Sequence, residues 1–185
     1  MAVKLVIAGG FGVGKTTFVA AISEIEPLQT EAAMTVLAGT IDDSSTVIDK
    51  LTTTVVMDFG RLTVDDTLVM YLFGAPGQGR FHFIWDDLID GALGAIVLVD
   101  TRRIEDSFAA IDYFESHQLP FVIGINTFPD TNPYDLYEIR DALGVATTTP
   151  MQYCDARSRT SVKEVLLQLL HLLAEQRSGA TTERN

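Results

Sequence analysis

The stretch IAGGFGVGKTTF, residues 7–18, places four glycines within six positions and follows them with Lys15 and Thr16. Glycine loses more conformational freedom on folding than any other residue, so a run of this density needs a physical reason. Phosphate binding supplies one. Gly9, four further residues, then Gly14, Lys15 and Thr16 match the pattern of a P-loop. In that loop backbone N–H groups cradle phosphate oxygens, the lysine reaches the outer phosphates and the hydroxyl takes Mg²⁺. The nucleotide-binding candidates here are Gly9, Phe11, Gly12, Val13, Gly14, Lys15, Thr16 and Thr17. Both flanks agree. VKLVIAG before the loop is a short apolar run of the kind a buried parallel strand shows. KTTFVAAISEI after it carries apolar residues at 18, 19, 22 and 25, a helical spacing. The loop is therefore expected where the positive end of a helix dipole faces an anion.

Composition narrows the class. A chain of 185 residues with 47% hydrophobic and 21% charged content reads as one well-cored domain. The net charge of −12 argues against nucleic acid or an anionic membrane as partner, since both need a basic face. A single cysteine, Cys154, excludes an intramolecular disulfide framework and suits a reducing compartment; it reads as a small residue at a strand end. No apolar run reaches 18 residues, and no signal peptide or lipidation motif stands out, so no direct membrane anchor is expected. The expected location is cytoplasmic, with any membrane recruitment made through a partner.

Strand-like and helical segments alternate along the chain. Strands are expected over 4–9, 53–59, 67–74, 94–100, 120–126 and 150–154, and helices over 15–25, 80–90, 105–117, 133–142 and 161–176. Two strands, 53–59 and 67–74, have no helix between them and read as a hairpin turning through GRLTVDD. The order implies an α/β, doubly wound, six-stranded and mostly parallel sheet with one antiparallel hairpin strand. Residues 26–52, with TIDDSST at their centre, read as a long polar loop beside the phosphate site and as a candidate nucleotide-sensing switch.

Four stretches carry a resemblance: the P-loop, TTTVVMDFG at 52–60, GAPGQGRFHFIWDDL at 74–88 and DARSRTSV at 155–162. Together they make the chain similar to bacterial Ras-like small GTPases, closest to the actinobacterial conservon type and akin to the gliding-motility polarity GTPases. The resemblance implies a GTPase domain over 1–177 with a flexible tail at 178–185, and GTP or GDP with Mg²⁺ as ligands. It implies that Thr54, four residues before the Asp58-Phe59 pair, closes over Mg²⁺ and the γ-phosphate; Thr52 and Thr53 stand beside it. It makes Gly77 a backbone donor to the γ-phosphate and Gln78 the side chain that orients the attacking water, with Lys15 beside it in catalysis. It also implies two partners, a roadblock-type regulatory protein and a sensor-kinase-like membrane protein.

The departures from the family pattern are specific. Gly74 replaces the aspartate that Ras-like proteins place at this strand end to hold Mg²⁺ through water. Phe11 occupies a position normally held by glycine, where a benzyl group crowds an incoming arginine finger. Arg61 and Arg80 are the nearby arginines, and each reads more simply as a surface or salt-bridge residue than as a finger in cis. Phe81, Phe83 and Trp85 suit either a core or a protein-facing surface, and His82 reads as a packing or surface residue and not as a catalyst. The base motif frays: Asn126 is followed by Thr127, Phe128, Pro129 and Asp130, so the lysine is missing and the aspartate comes one residue late. Asp130 and Asp155 are the two candidate guanine readers, with Ala156 and Arg157 completing the second loop. Two rivals follow from these departures: a nucleotide-holding pseudo-GTPase without turnover, and a P-loop ATPase or small-molecule kinase.

Overall fold

The computed structural model describes residues 1–26, 28–37, 50–77, 84–129, 131 and 133–182. The strands are β1 (Ala2–Gly9), β2 (Leu28–Leu37), β3 (Lys50–Thr63), β4 (Val69–Gly74), β5 (Ala92–Val99), β6 (Phe121–Asn126) and β7 (Met151–Cys154). The helices are α1 (Lys15–Ile22), α2 (Trp85–Ile89), α3 (Phe108–Ser116), α4 (Leu136–Leu143) and α5 (Arg159–Thr182). They form one seven-stranded sheet in the order β2-β3-β4-β1-β5-β6-β7. β3 pairs antiparallel with both β2 and β4, and the other pairings are parallel. One strand thus runs against the rest, in a doubly wound α/β sheet as expected.

The sheet carries one strand more than the six expected. β2 lies inside the stretch read as a polar loop, and it pairs along ten residues of β3. Its sequence, LQTEAAMTVL, neither alternates cleanly nor runs continuously apolar, so periodicity could not reveal it. β3 is also longer than expected, reaching back to Lys50 and on to Thr63, so the hairpin turns at residues 64–68. There Asp65 Oδ1 accepts from Thr67 N and Leu68 N at 2.7 and 2.9 Å, an Asx turn that suits Asp. α5 continues to Thr182, through the first residues of the stretch expected as a tail.

Alternation along the central strands feeds two cores. Val6 and Ala8 of β1 join Trp85, Ile111, Phe114 and Ile139 from α2, α3 and α4 on one face. Leu5 and Ile7 join Phe18 and Ile22 of α1 and Val165 and Leu169 of α5 on the other. Each such fully buried side chain contributes about 1.5–3 kcal/mol relative to exposure, so both faces hold the sheet rigid beneath its loops. Trp85 is part of this core, stacked on Phe114 and edge-on to Tyr113, which settles the aromatic question for that residue. Phe81, His82 and Phe83 lie outside the described residues. The parallel strands β1, β5, β6 and β7 all end on the same rim, where ligands of open α/β sheets bind.

Candidate functional site

The loop after β1 turns into α1 through Gly14, whose φ of 106° lies in the left-handed region that favours glycine. A β-carbon there would also stand 2.7 Å from Asn126 Nδ2, so position 14 is restricted by space as well as by conformation. Lys15 opens the helix and folds back, donating from Nζ to the carbonyls of Gly9 at 3.0 Å and Gly10 at 2.6 Å. It is only 9% exposed. Burial lowers its pKa to about 8, an effect the Asp58 carboxylate partly offsets. A cation held in this way by carbonyl dipoles, at the mouth of a helix dipole, is an anion site. Phe11 is exposed, at 64%.

Thr16 identifies the residue that sequence reasoning passed over. Its hydroxyl donates to Asp58 Oδ2 at 2.7 Å. Asp58 lies on β3 directly opposite Gly74 in the antiparallel register. A β-carbon at Gly74 would stand 3.0 Å from Asp58 Cβ and 3.1 Å from its Oδ2. The carboxylate absent from the end of β4 is thus delivered to the same place from the neighbouring strand, and Gly74 leaves room for it. Asp58 was visible only as half of a marker pair. The expected turn GRLTVDD is centred on Thr63, whereas the observed register is centred on Asp66 and so sets Asp58 against Gly74.

Beyond Gly74 the chain stays close to the phosphate loop. Ala75 N donates to Ile7 O at 2.8 Å, extending the pairing with β1. A β-carbon at Gly77 would lie 2.6 Å from Lys15 Nζ and 2.8 Å from Gly10 O. Gly77 is therefore seated directly on the lysine. Gln78 and Arg80 lie outside the described residues. Thr54 is in β3, where its register partner is Ala33; its side chain is not among those described. Arg61 is beside Ser23 at the far end of α1, away from the phosphate loop, its N donating to Ser23 Oγ at 3.2 Å.

Asn126 ties three segments together. Its Nδ2 donates to Val13 O at 2.8 Å and its Oδ1 accepts from Ala156 N at 3.0 Å. The phosphate loop, the end of β6 and the loop after β7 are thereby held in one arrangement. In the last of these, the Asp155 carboxylate accepts from Arg157 Nε at 2.9 Å and Nη2 at 3.0 Å. Those bonds hold its pKa below the ordinary carboxylate value. Asp155 is thus engaged within its own loop, whereas Asp130 lies outside the described residues. Cys154 is buried at the end of β7, and burial pushes its thiol up to about 11. It is a packing residue.

Among the described residues no helix is long and apolar enough to cross a membrane. Known structures share the fold. The chain is similar to the cytosolic domain of the Thermotoga maritima FeoB iron transporter in its apo form, at 17% identity and a TM-score of 0.65. That match covers 94% of this chain and 64% of the other, so the chain spans less than two thirds of that domain. The G-domain of FeoB from Methanococcus jannaschii is matched at 11% identity and a TM-score of 0.62, over 94% of this chain and 98% of that one. In sequence, an uncharacterized protein of Methanocaldococcus jannaschii is 30% identical over 139 residues, 74% of this chain and 77% of that protein. A family model described as "conserved hypothetical ATP binding protein" matches residues 7–176. The chain belongs to that family of conserved hypothetical ATP-binding proteins, built on a small GTPase-like P-loop fold.

Proposed function

We propose that this protein is a nucleotide-binding switch that holds a guanosine di- or triphosphate on residues 9–17 and hydrolyses the triphosphate slowly. The observation that carries the reading is Lys15, a buried ammonium bonded to two backbone carbonyls at the start of a helix. Such a group is completed by an anion, and a β/γ-phosphate pair is the anion this loop geometry fits. The donor set beside it also suits a hard divalent cation. Thr16 and Asp58 offer one hydroxyl and one carboxylate, and Mg²⁺ typically takes few protein oxygens together with phosphates and waters. When bound, Mg²⁺ supplies neutralisation of phosphate charge, with Thr16, Asp58 and Thr54 as the residues that would hold it.

The remaining roles belong to this chain's own groups. Gly77, already against Lys15, can offer its N–H to a γ-phosphate oxygen, and Gln78 next to it orients the attacking water. Turnover without a partner is expected on the order of 10⁻³ per second or below, as for Ras-type proteins lacking an arginine finger. Segments 40–54 and 74–90 then change with nucleotide state. By family resemblance the readers of that state are a roadblock-type protein and a sensor-kinase-like membrane protein, with the switch itself in the cytoplasm.

A second reading is favoured by a specific observation. Asp155 is occupied by Arg157, and the family carries the description of ATP binding, so an adenine nucleotide is the competitor for the base pocket. Identifying the nucleotide that copurifies with the protein, followed by multiple-turnover assays with GTP and ATP, decides among the readings. Guanine nucleotide with slow release of phosphate supports the switch. Guanine nucleotide without turnover, even with a partner, supports a pseudo-GTPase, and adenine nucleotide with ATP turnover supports the ATPase.

A further inference from the structure

A second layer of structure packs against the outer side of the phosphate loop. It is the 3-10 turn Thr101–Ser107, which follows β5. A β-carbon at Gly10 would lie 2.5 Å from Asp106 Cβ, so this glycine makes room for the turn and not only for phosphate. Arg103 sits at a kink in the turn, with φ −148° and ψ 60°, and its Nη2 donates to the carbonyl of Phe11 at 2.9 Å. The guanidinium is braced by Asp106 at 3.7 Å and by the buried Asp100 at 3.9 Å. Asp100 is itself held by Arg102, which donates to both of its carboxylate oxygens. Arg102 lies over the Phe128 ring at 3.7 Å, so the same turn also touches the base loop.

We propose that Arg103 is a positioning residue of the phosphate loop, which aims the Gly12 N–H by holding the Phe11 carbonyl outward. The argument is geometric. A peptide unit is planar and trans, so the carbonyl of Phe11 and the N–H of Gly12 point in opposite directions. With the carbonyl held toward Arg103, the N–H is turned away from that turn, and the proposal places it in the phosphate cradle. Gly12 permits this orientation with φ at 73°. Exposed arginine pairs usually contribute little. This one differs because its partner is a carbonyl of the loop itself, 92 residues distant in sequence, and because two carboxylates fix the guanidinium. The inference rests on the nucleotide reading of the P-loop and names a residue that reading did not include.

The test compares Arg103→Ala, Arg103→Lys and Lys15→Ala with the parent. Fluorescent GDP and ADP titrations are paired with the amide nitrogen shift of Gly12 in each protein. Arg103→Ala should weaken both diphosphates by about tenfold, the size of one charge-assisted hydrogen bond, because the defect lies at the phosphates and not at the base. The Gly12 amide should move in the same variant. Arg103→Lys, which keeps a cationic donor, should recover most of the affinity and the parent shift. Parent-like binding by Arg103→Ala, or a lysine variant no better than alanine, overturns the inference. If Lys15→Ala abolishes binding while Arg103→Ala does not weaken it, only the role of Arg103 falls. If Lys15→Ala also binds like the parent, the nucleotide reading falls with it.

Discussion

The phosphate end, on β1 and β3, and the proposed base end, on β6 and β7, lie on one sheet either side of β5 and are built by different means. At the phosphate end the ligand-facing groups are mostly backbone, supported by short bonds: Lys15 to two carbonyls, Thr16 to Asp58, Arg103 to Phe11. At the proposed base end recognition would fall to side chains, and there Asp155 is already engaged by Arg157. Backbone cradles tolerate change in side-chain identity because every residue except proline carries the same N–H. Base pockets do not, because discrimination depends on which donor or acceptor a particular side chain presents. One end can therefore be assigned with little reference to relatives, and the other cannot.

The sharpest way to break this contrast is at its strongest point. Lys15→Ala removes the buried cation, and nucleotide affinity should fall on the order of 100-fold or more, as expected when charge-assisted bonds to phosphates are lost. Titration with a fluorescent nucleotide reads it, and an affinity within twofold of the parent would remove this lysine from the site. The base end is tested next. Asp130→Asn and Asp155→Asn, each in competition with GDP, XDP and ADP, should single out one reader. The reader, once amidated, should shift preference from guanine toward xanthine by roughly 10- to 150-fold, the equivalent of about 1.5–3 kcal/mol. If neither shifts and ADP competes as well as GDP, adenine is the base.

The transferred carboxylate offers a test by relocation. Asp58→Ala should cut the Mg²⁺ dependence of nucleotide binding about tenfold, comparable to loss of one supporting ligand. Gly74→Asp alone should be poorly tolerated, since its side chain would press on Asp58. The double variant Asp58→Gly, Gly74→Asp returns a carboxylate to the end of β4 and should restore the dependence. Failure of the double variant, with Asp58→Ala unaffected, would leave Asp58 as a partner for Thr16 and nothing more.

A smaller effect follows from protonation. Phosphate binding favours the charged form of Lys15, whose pKa is lowered to about 8 by burial. Below pH 8 the ammonium is already present and affinity should be flat. Above it, binding must take up a proton, so affinity should fall as pH rises, by up to about tenfold per unit. Isothermal titration in buffers of differing ionisation enthalpy at pH 9 should detect that uptake, and an affinity flat to pH 10 would contradict it. The smallest change is in rate. Gln78→Leu should slow single-turnover hydrolysis several-fold with affinity unchanged, because the side chain acts on the attacking water. Equal rates would assign the water to another group.

The P-loop, its flanking strand and helix, and the α/β class were legible in the sequence because each rests on local chemistry. Glycine spacing, a short apolar run and a helical stripe are all properties of neighbours in the chain. Asn126 was legible too, as the last residue of an apolar strand. What tertiary structure decided was pairing across distance. β2 exists because β3 offers it a long edge, and nothing in LQTEAAMTVL announces that by itself. Asp58 enters the site through the register of β3 against β4, which a small error in the placement of the turn conceals. Arg103 reaches Phe11 only because β5 lies beside β1 in the sheet. Local pattern fixes which elements form, while the geometry of packed strands determines which side chains converge, and in this protein the convergent groups are Lys15, Thr16, Asp58 and Asn126.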